Sequence, residues 1–440
     1  MRTAASIEVT EAIRQVDVAI IGGGINGLFT ALDLSLRGIG VALFERGSVG
    51  SGASDRMHGL LHSGARYAVS DPKAAVECAQ ENETLSRIAP QAVEDTGGLF
   101  VAIDREDLEY ADPFLKGLER AGIRHEEVDL AQALKAEPFL NPNAKLVVGV
   151  PDKVVRAREL MGTVAIAAHR EGALIVQDAE VVGVDLSGAV VSGLTIKDRV
   201  DGGLKKVGVR AVVNAAGPWA PHVAAMAGVK VEVMATMGVM VVYDRLFNHA
   251  VINRLRPPSD GDIVLPYGGH SIAGTTAVLT DDPDQPEISQ DDVDLINGEA
   301  SALIPAIAKA RVLRSYASVR PLIRMEGVDT REATRDFAVI RHETPSNAVT
   351  VIGGKFTTGR LVGERAADAA AQVLGSNKGS RTKGYELPGD PYELAGEAYP
   401  YLRSSVSSLV DALDTEYGRV AAYLALLAEY SREGRERFGW

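Results

Sequence analysis

Hydrophobic positions along the chain fall into short blocks with distinct periods. Val16-Asp-Val-Ala-Ile-Ile21 is a compact apolar block that stops at glycines. Its length and β-branched content predict a buried parallel strand. Gly22-Gly-Gly24 follows at once, and residues 26–37 then carry Leu28, Leu32 and Leu36 at helical spacing before Gly38. Val41-Ala-Leu-Phe-Glu45 reads as the next strand, so the first 45 residues predict a strand–loop–helix–strand unit. Residues 1–15 read as a poorly ordered extension. Asp71 and Pro72 suit the N-cap and first turn of a helix over 71–88. Strand and helix alternate weakly over 98–140. A helix is predicted over 157–170, a strand pair over 173–184, and a buried strand over 209–214 running into Ala215-Ala-Gly-Pro218. Strand periodicity dominates 231–277. An Asp/Pro-rich stretch over 280–287 leads to a helix over 290–303. A last strand over 349–352 runs into Gly353-Gly-Lys355 and a helix over 360–374. From 391 the pattern is mostly helical.

Composition narrows the class. The chain has 440 residues, enough for two or three structural units. Its 46 basic and 59 acidic residues give a net charge of −13, which argues against a nucleic-acid surface and against direct attraction to an anionic membrane. Cys78 is the single cysteine, so the sequence holds neither an internal disulfide nor the thiolate set of an iron–sulfur cluster or a cysteine-rich zinc site. It reads as a small apolar residue on a helix. No metal ligand set is expected. Apolar stretches are interrupted well before the roughly 20 residues of a membrane helix, and the first residues lack a secretory pattern. A cytoplasmic protein is expected.

The first loop carries specific chemistry. Gly22, Gly24 and Gly27 form G-x-G-x-x-G between strand and helix. The first glycine permits the tight turn, the second lets backbone approach a pyrophosphate, and the third lets helix and strand pack closely. The helix start offers N–H groups to the phosphates. Glu45 follows Gly22 by 23 residues and can accept from ribose hydroxyls. Spacing alone leaves NAD and FAD open. The small-residue loop over 47–54 and the second glycine-rich turn at Gly353-Gly354 suit an extended FAD.

Arg56-Met-His-Gly-Leu-Leu-His-Ser-Gly-Ala-Arg-Tyr67, Tyr316-Ala-Ser-Val-Arg-Pro-Leu322 and Gly353-Gly-Lys-Phe-Thr-Thr358 then stand out together. Val251-Ile-Asn-Arg254 with Pro258-Ser-Asp260, Asn214-Ala-Ala-Gly-Pro-Trp219 and Gly274-Thr-Thr276 accompany them. These motifs, spread over roughly 16–390, resemble the FAD-dependent glycerol-3-phosphate dehydrogenases of the D-amino-acid-oxidase-like flavoproteins, nearest to the catalytic A subunits of the anaerobic enzymes. The resemblance implies an α/β fold: a discontinuous Rossmann-like FAD domain (16–90, 150–232 and 311–376) interleaved with an antiparallel-sheet substrate domain (91–149 and 233–310), plus a helical tail (377–440). It implies oxidation of a secondary alcohol to a ketone by hydride transfer to flavin N5, with non-covalent FAD preferred over a covalent link. Electrons would pass to a quinone or an acceptor protein, with peripheral association at the inner membrane face through such a partner.

Site roles follow from the same matches. Arg320, Arg66 and Tyr67 match substrate-pocket residues, and a guanidinium can bind phosphate or alkoxide bidentately. A structural ion pair is the plain alternative for either arginine. Lys355 suits the negative flavin edge or the substrate; otherwise it is a solvated turn lysine. His62 is the best proton acceptor, with His58 four residues before it. His270 is a candidate pocket residue from the antiparallel sheet. Cofactor contacts are expected from Asn26, Arg46, Ser54, His58, Gly59 and Leu61 after the fingerprint. Val181, Ala216 and Gly217 are expected in mid-chain, and Gly354, Lys355, Phe356 and Thr357 at the last turn.

The sequence also departs from the family. Met237-Gly-Val239 stands where a Lys-Gly-Ser stretch is usual, Arg156 replaces an aspartate, and Gly359 replaces a tyrosine. No cysteine-rich C-terminal domain is present, so electrons are expected to leave through oxygen, a quinone or a separate protein. The change at Met237 keeps an amine, amino-acid or 2-hydroxyacid oxidase, or a non-catalytic flavoprotein component, as alternatives. The tail reads as a helical pair on the protein's own surface or as a docking helix.

Overall fold

The computed structural model describes residues 15–323, 336–389 and 416–440. The expected N-terminal extension lies outside these residues except for Gln15, which starts the first strand. Strand Gln15–Ile21 lies parallel between Val41–Phe44 and Leu204–Asn214. Leu174–Val176 extends the sheet beyond Val41–Phe44, and Ala348–Gly353 pairs in parallel with the end of Leu204–Asn214. An antiparallel hairpin, Ala179–Ser187 and Val190–Asp198, completes one side, and Phe337–Arg341 pairs antiparallel with Ala348–Gly353. The sheet has eight strands.

Helix Ile25–Leu36 is buried along its length because helices cover it from both sides. Small residues permit this. A Cβ at Gly363 would lie 2.5 Å from the Phe29 Cβ, and one at Gly359 would lie 2.6 Å from the Ile25 side chain. The missing tyrosine at 359 is therefore a helix-packing feature.

Arg360 begins that same helix, Gly359–Val373, and is 2% exposed. Its guanidinium grips Glu81 through two bonds of 2.7 and 2.6 Å, with Glu364 and Thr382 on its remaining nitrogen. Removing one partner of a buried pair strands the other charge, which costs about 3–5 kcal/mol. Arg360→Met is expected to lose stability on that scale in urea unfolding of the holoprotein. Adding Glu81→Leu should restore much of it. A loss below about 1 kcal/mol would place this pair with ordinary surface bridges.

The second sheet has nine strands. Strand Val233–Tyr243 runs antiparallel to Val312–Ile323 along its whole length, and to His270–Gly274 and Val278–Leu279 on its other edge. One pairing, Val251–Arg254 with Gly98–Ala102, is parallel. Strand Val312–Ile323, expected in the cofactor unit, pairs into this sheet through Val233–Tyr243. Alternation along Val233–Tyr243 sends Met237, Val239, Val241 and Tyr243 into an apolar core that includes Ile296 and Leu303 of helix Gln290–Leu303.

Helix Glu416–Phe438 packs on its own chain. Leu426 meets Ile166, Tyr430 stacks on His169 with ring centroids 3.7 Å apart, and Arg435 pairs with Asp198 at 3.1 Å. The earlier part of the expected helical tail, residues 390–415, lies outside the described residues. No helix among those described is long and apolar enough to cross a membrane.

Candidate active site

A cleft of about 420 Å³ runs between the two sheets. One end is built by the glycine loop. Gly22 has φ +110°, and a Cβ there would stand 2.6 Å from the Ala215 carbonyl oxygen. At Gly27 a Cβ would come 2.0 Å from the Gly22 carbonyl oxygen. Gly27 is therefore a packing residue behind the loop, while Gly22 and Gly24 line the cleft.

Helix Ile25–Leu36 has no side-chain N-cap of its own and no acid in its first turn. Ser54 supplies a cap from another loop, its hydroxyl accepting the Ile25 N–H at 3.1 Å. The helix start thus presents a positive dipole end to the cleft. Asn26 lines the same wall, and its buried side-chain oxygen has no hydrogen-bond partner among the described residues. Glu45 accepts the Gly23 and Gly47 N–H groups at 2.7 and 2.8 Å, and burial raises its pKa despite them. A pyrophosphate at the helix start and ribose hydroxyls at Glu45 fit this set of donors and acceptors. Val181, Ala216 and Gly217 continue the wall.

Arg46 lies on Trp219, 4.0 Å from the ring centroid, and pairs with Asp284. Pro283 and Asp284 come from the polar stretch before helix Gln290–Leu303, so the second sheet's connection closes over the first sheet's loop. The Arg46–Asp284 pair joins segments 238 positions apart and leaves no local pattern in the sequence.

At the other end His58, His62, Tyr67, Arg320, Gly354, Lys355 and Phe356 meet. The His62 ring lies 6.0 Å from that of His58 and 5.3 Å from that of Tyr67, and the Lys355 ammonium sits 4.5 Å above the Tyr67 ring centroid. Three clamps fix the turn bearing His62. The His62 N–H donates to the Thr357 hydroxyl at 3.1 Å and the Ser63 N–H to Asp152 at 2.7 Å, while Arg66 pairs with Asp262 at 2.7 Å. Asp152, whose carboxyl pKa burial raises, was not visible as a positioning residue in the sequence.

Arg320 donates to the Thr275 hydroxyl at 3.1 Å and to the Thr276 carbonyl. Gly238 makes room for it: a Cβ there would lie 2.9 Å from the guanidinium. Because alternation turns Met237 into the core, its replacement of a lysine falls on the face opposite Gly238 and the cleft.

Several expected contacts are placed elsewhere. Arg66 does not line the cleft; its guanidinium serves Asp262 and the Ser259 carbonyl. His270 is turned toward the Tyr243 carbonyl, 3.0 Å from its Nδ1, and also stays off the cleft. Leu61 is a buried strand residue, Gly59 provides the turn with φ +103°, and Thr357 spends its hydroxyl on His62. Arg156 pairs with Glu159 at 2.9 Å, outside the cleft lining. Cys78 is buried in an apolar cluster, and burial pushes its thiol up to about 12.

Burial, with Arg66 and Arg320 nearby, pushes the His58 imidazole down to about 3. It is neutral throughout the physiological range. The cleft as a whole joins a dinucleotide cradle to a cationic pocket holding two imidazoles.

The chain matches known proteins over most of its length. Residues 17–369 match the family described as FAD dependent oxidoreductase. The A subunit of anaerobic glycerol-3-phosphate dehydrogenase from Escherichia coli (strain K12) is 38% identical over 386 residues, covering 86% of this chain and 71% of the relative. Among solved structures, the FAD complex of glycerol-3-phosphate dehydrogenase from Bacillus halodurans superposes with a TM-score of 0.69 at 24% identity, covering 97% of this chain and 80% of that one. Glycine oxidase from Geobacillus kaustophilus gives 0.67 at 22% identity, covering 85% and 99%. At such identities the two structures speak for the fold, whereas the family match and the 38% relative speak for descent, and together they make this chain a member of the FAD dependent oxidoreductase family.

Proposed function

We propose that the chain oxidises sn-glycerol 3-phosphate, or a closely related phosphorylated polyol, to the ketone. The observation that carries this reading is the placing of Arg320, Lys355 and His62 at one end of the cleft that holds the dinucleotide cradle at the other. When bound, FAD would supply the two-electron, hydride-accepting oxidant. Gly22, Gly24, Asn26 and the helix start would hold its pyrophosphate, and Glu45 its ribose. Arg320 and Lys355 place positive charge where a phosphate dianion and a developing alkoxide need it. His62, held by Thr357 through its backbone, receives the hydroxyl proton. Arg66 acts one layer back, holding the His62 turn through Asp262. The 38% relative is named as one component of a larger enzyme, and on that basis we assign electron exit to a partner protein or quinone.

The test is anaerobic mixing of the purified flavoprotein with glycerol 3-phosphate while the visible flavin band is followed. Bleaching of the band, with dihydroxyacetone phosphate formed, is the expected result. Bleaching only with an amino acid or a 2-hydroxy acid would assign the protein to another substrate class of its family. A band that no donor bleaches would leave a non-catalytic flavoprotein.

A further inference from the structure

His58 has geometry unlike that of a base. Gly59, with φ +103°, reverses the chain so that the Leu60 N–H donates to the His58 Nδ1 at 3.0 Å. Leu60 is itself fixed, paired in a short strand with Val154. A nitrogen that accepts an N–H cannot carry a proton, so in the neutral ring the proton resides on Nε2. Among the described residues Nε2 meets no hydrogen-bond partner, and the ring lines the cleft beside Arg320.

We propose that His58 is a fixed Nε2–H donor to an oxygen of the substrate, selecting hydroxyl, alkoxide or phosphate acceptors against ammonium groups. This rests on the substrate reading above and divides the labour of the two histidines: His62 takes the proton, His58 only gives a hydrogen bond. An ammonium group carries donors alone, so it would meet the Nε2–H donor to donor, with Arg320 and Lys355 adding like charge. The charged and titratable groups around the ring all favour its neutral form or leave it unchanged. Arg66 comes from the turn Ala65–Tyr67, Arg320 from strand Val312–Ile323, and His62 lies ring to ring at 6.0 Å.

The test joins two measurements on the FAD-loaded enzyme. In the ¹⁵N-histidine spectrum, with the signal assigned by its loss in His58→Phe, the His58 ring should show protonated Nε2 and bare Nδ1, unchanged from pH 5 to 8. In steady-state kinetics His58→Phe should raise the KM for glycerol 3-phosphate by about 10–100-fold, the scale of a hydrogen bond to a charged group. His58→Gln, which restores an N–H donor, should recover most of that loss. The acid limb of the kcat/KM profile should stay in place in both variants, and the bound flavin spectrum checks that each folds. A His58 ring that titrates in this range or carries its proton on Nδ1 overturns the donor role. So does a Gln variant as impaired as Phe with the acid limb gone, which makes His58 a base. Failure of glycerol 3-phosphate to reduce the wild-type flavin overturns the substrate reading instead, and the ring spectrum still decides the tautomer.

Discussion

Arg320→Met is expected to lower kcat/KM for glycerol 3-phosphate by about 10²–10⁴-fold while FAD stays bound, the effect of losing two hydrogen bonds to a charged group. The guanidinium is held by the Thr275 hydroxyl and the Thr276 carbonyl, and Gly238 leaves the space in which it lies. Rigid anchoring means little of the binding energy is spent ordering the side chain. Methionine keeps the aliphatic stem and removes the charge, so the loss should reach the substrate without collapsing the wall. Arg320→Lys should recover only part, because an ammonium is a point charge and cannot present two parallel N–H groups. The flavin spectrum and FAD retention on gel filtration separate a substrate effect from loss of cofactor. An unchanged KM in the methionine variant would remove Arg320 from the substrate site and leave it as a brace for the Gly274–Thr276 segment.

The contrast between Arg320 and Arg66 marks what the sequence could disclose. Both stand in long motifs and carry the same charge, and the motifs give no account of direction. Arg66 points away from the cleft because Asp262, 196 positions later, lies beneath it with no solvent exposure. His270 likewise sits in a strand of the correct sheet, and a hydrogen bond to the Tyr243 carbonyl settles where its ring goes. Local chemistry was more legible. The strand, glycine turn, helix and terminal acid of residues 15–45 are encoded within one stretch, since the turn needs glycine wherever it occurs. Period-two alternation along Val233–Tyr243 identified a strand but not its faces. Only the fold shows that Gly238 and Met240 face the cleft and Met237 the core. The Arg46–Asp284 clasp and the Asp152 clamp are pairings between distant segments, and single-sequence patterns carry no record of them.

Gly27→Ala should give a protein that holds FAD about 10–100-fold more weakly, or not at all, and purifies with little yellow colour; overpacking by one carbon typically costs about 1–3 kcal/mol. The added Cβ would stand 2.0 Å from the Gly22 carbonyl oxygen. That is far inside van der Waals contact, and backbone atoms cannot swing aside as a side chain would. Relief requires helix Ile25–Leu36 to move off strand Gln15–Ile21. Gly22 resists, because its φ of +110° and its approach to Ala215 tie it to the neighbouring strand. The helix start therefore shifts away from the place where it meets the pyrophosphate, and the Ser54 cap on Ile25 is pulled with it. Gly379→Ala makes the same chemical change where no atom lies within 4 Å, so it should bind FAD as the parent does. Titration of the stripped apoproteins with FAD, followed by flavin fluorescence quenching, compares the two. A Gly27→Ala protein as yellow and as tight as the Gly379→Ala protein would mean that close packing of helix on strand is not what forms the cradle. The anion site would then rest on the loop itself, through the Gly24 N–H, rather than on the helix behind it, since the Gly22 and Gly23 N–H groups already donate to Phe44 and Glu45.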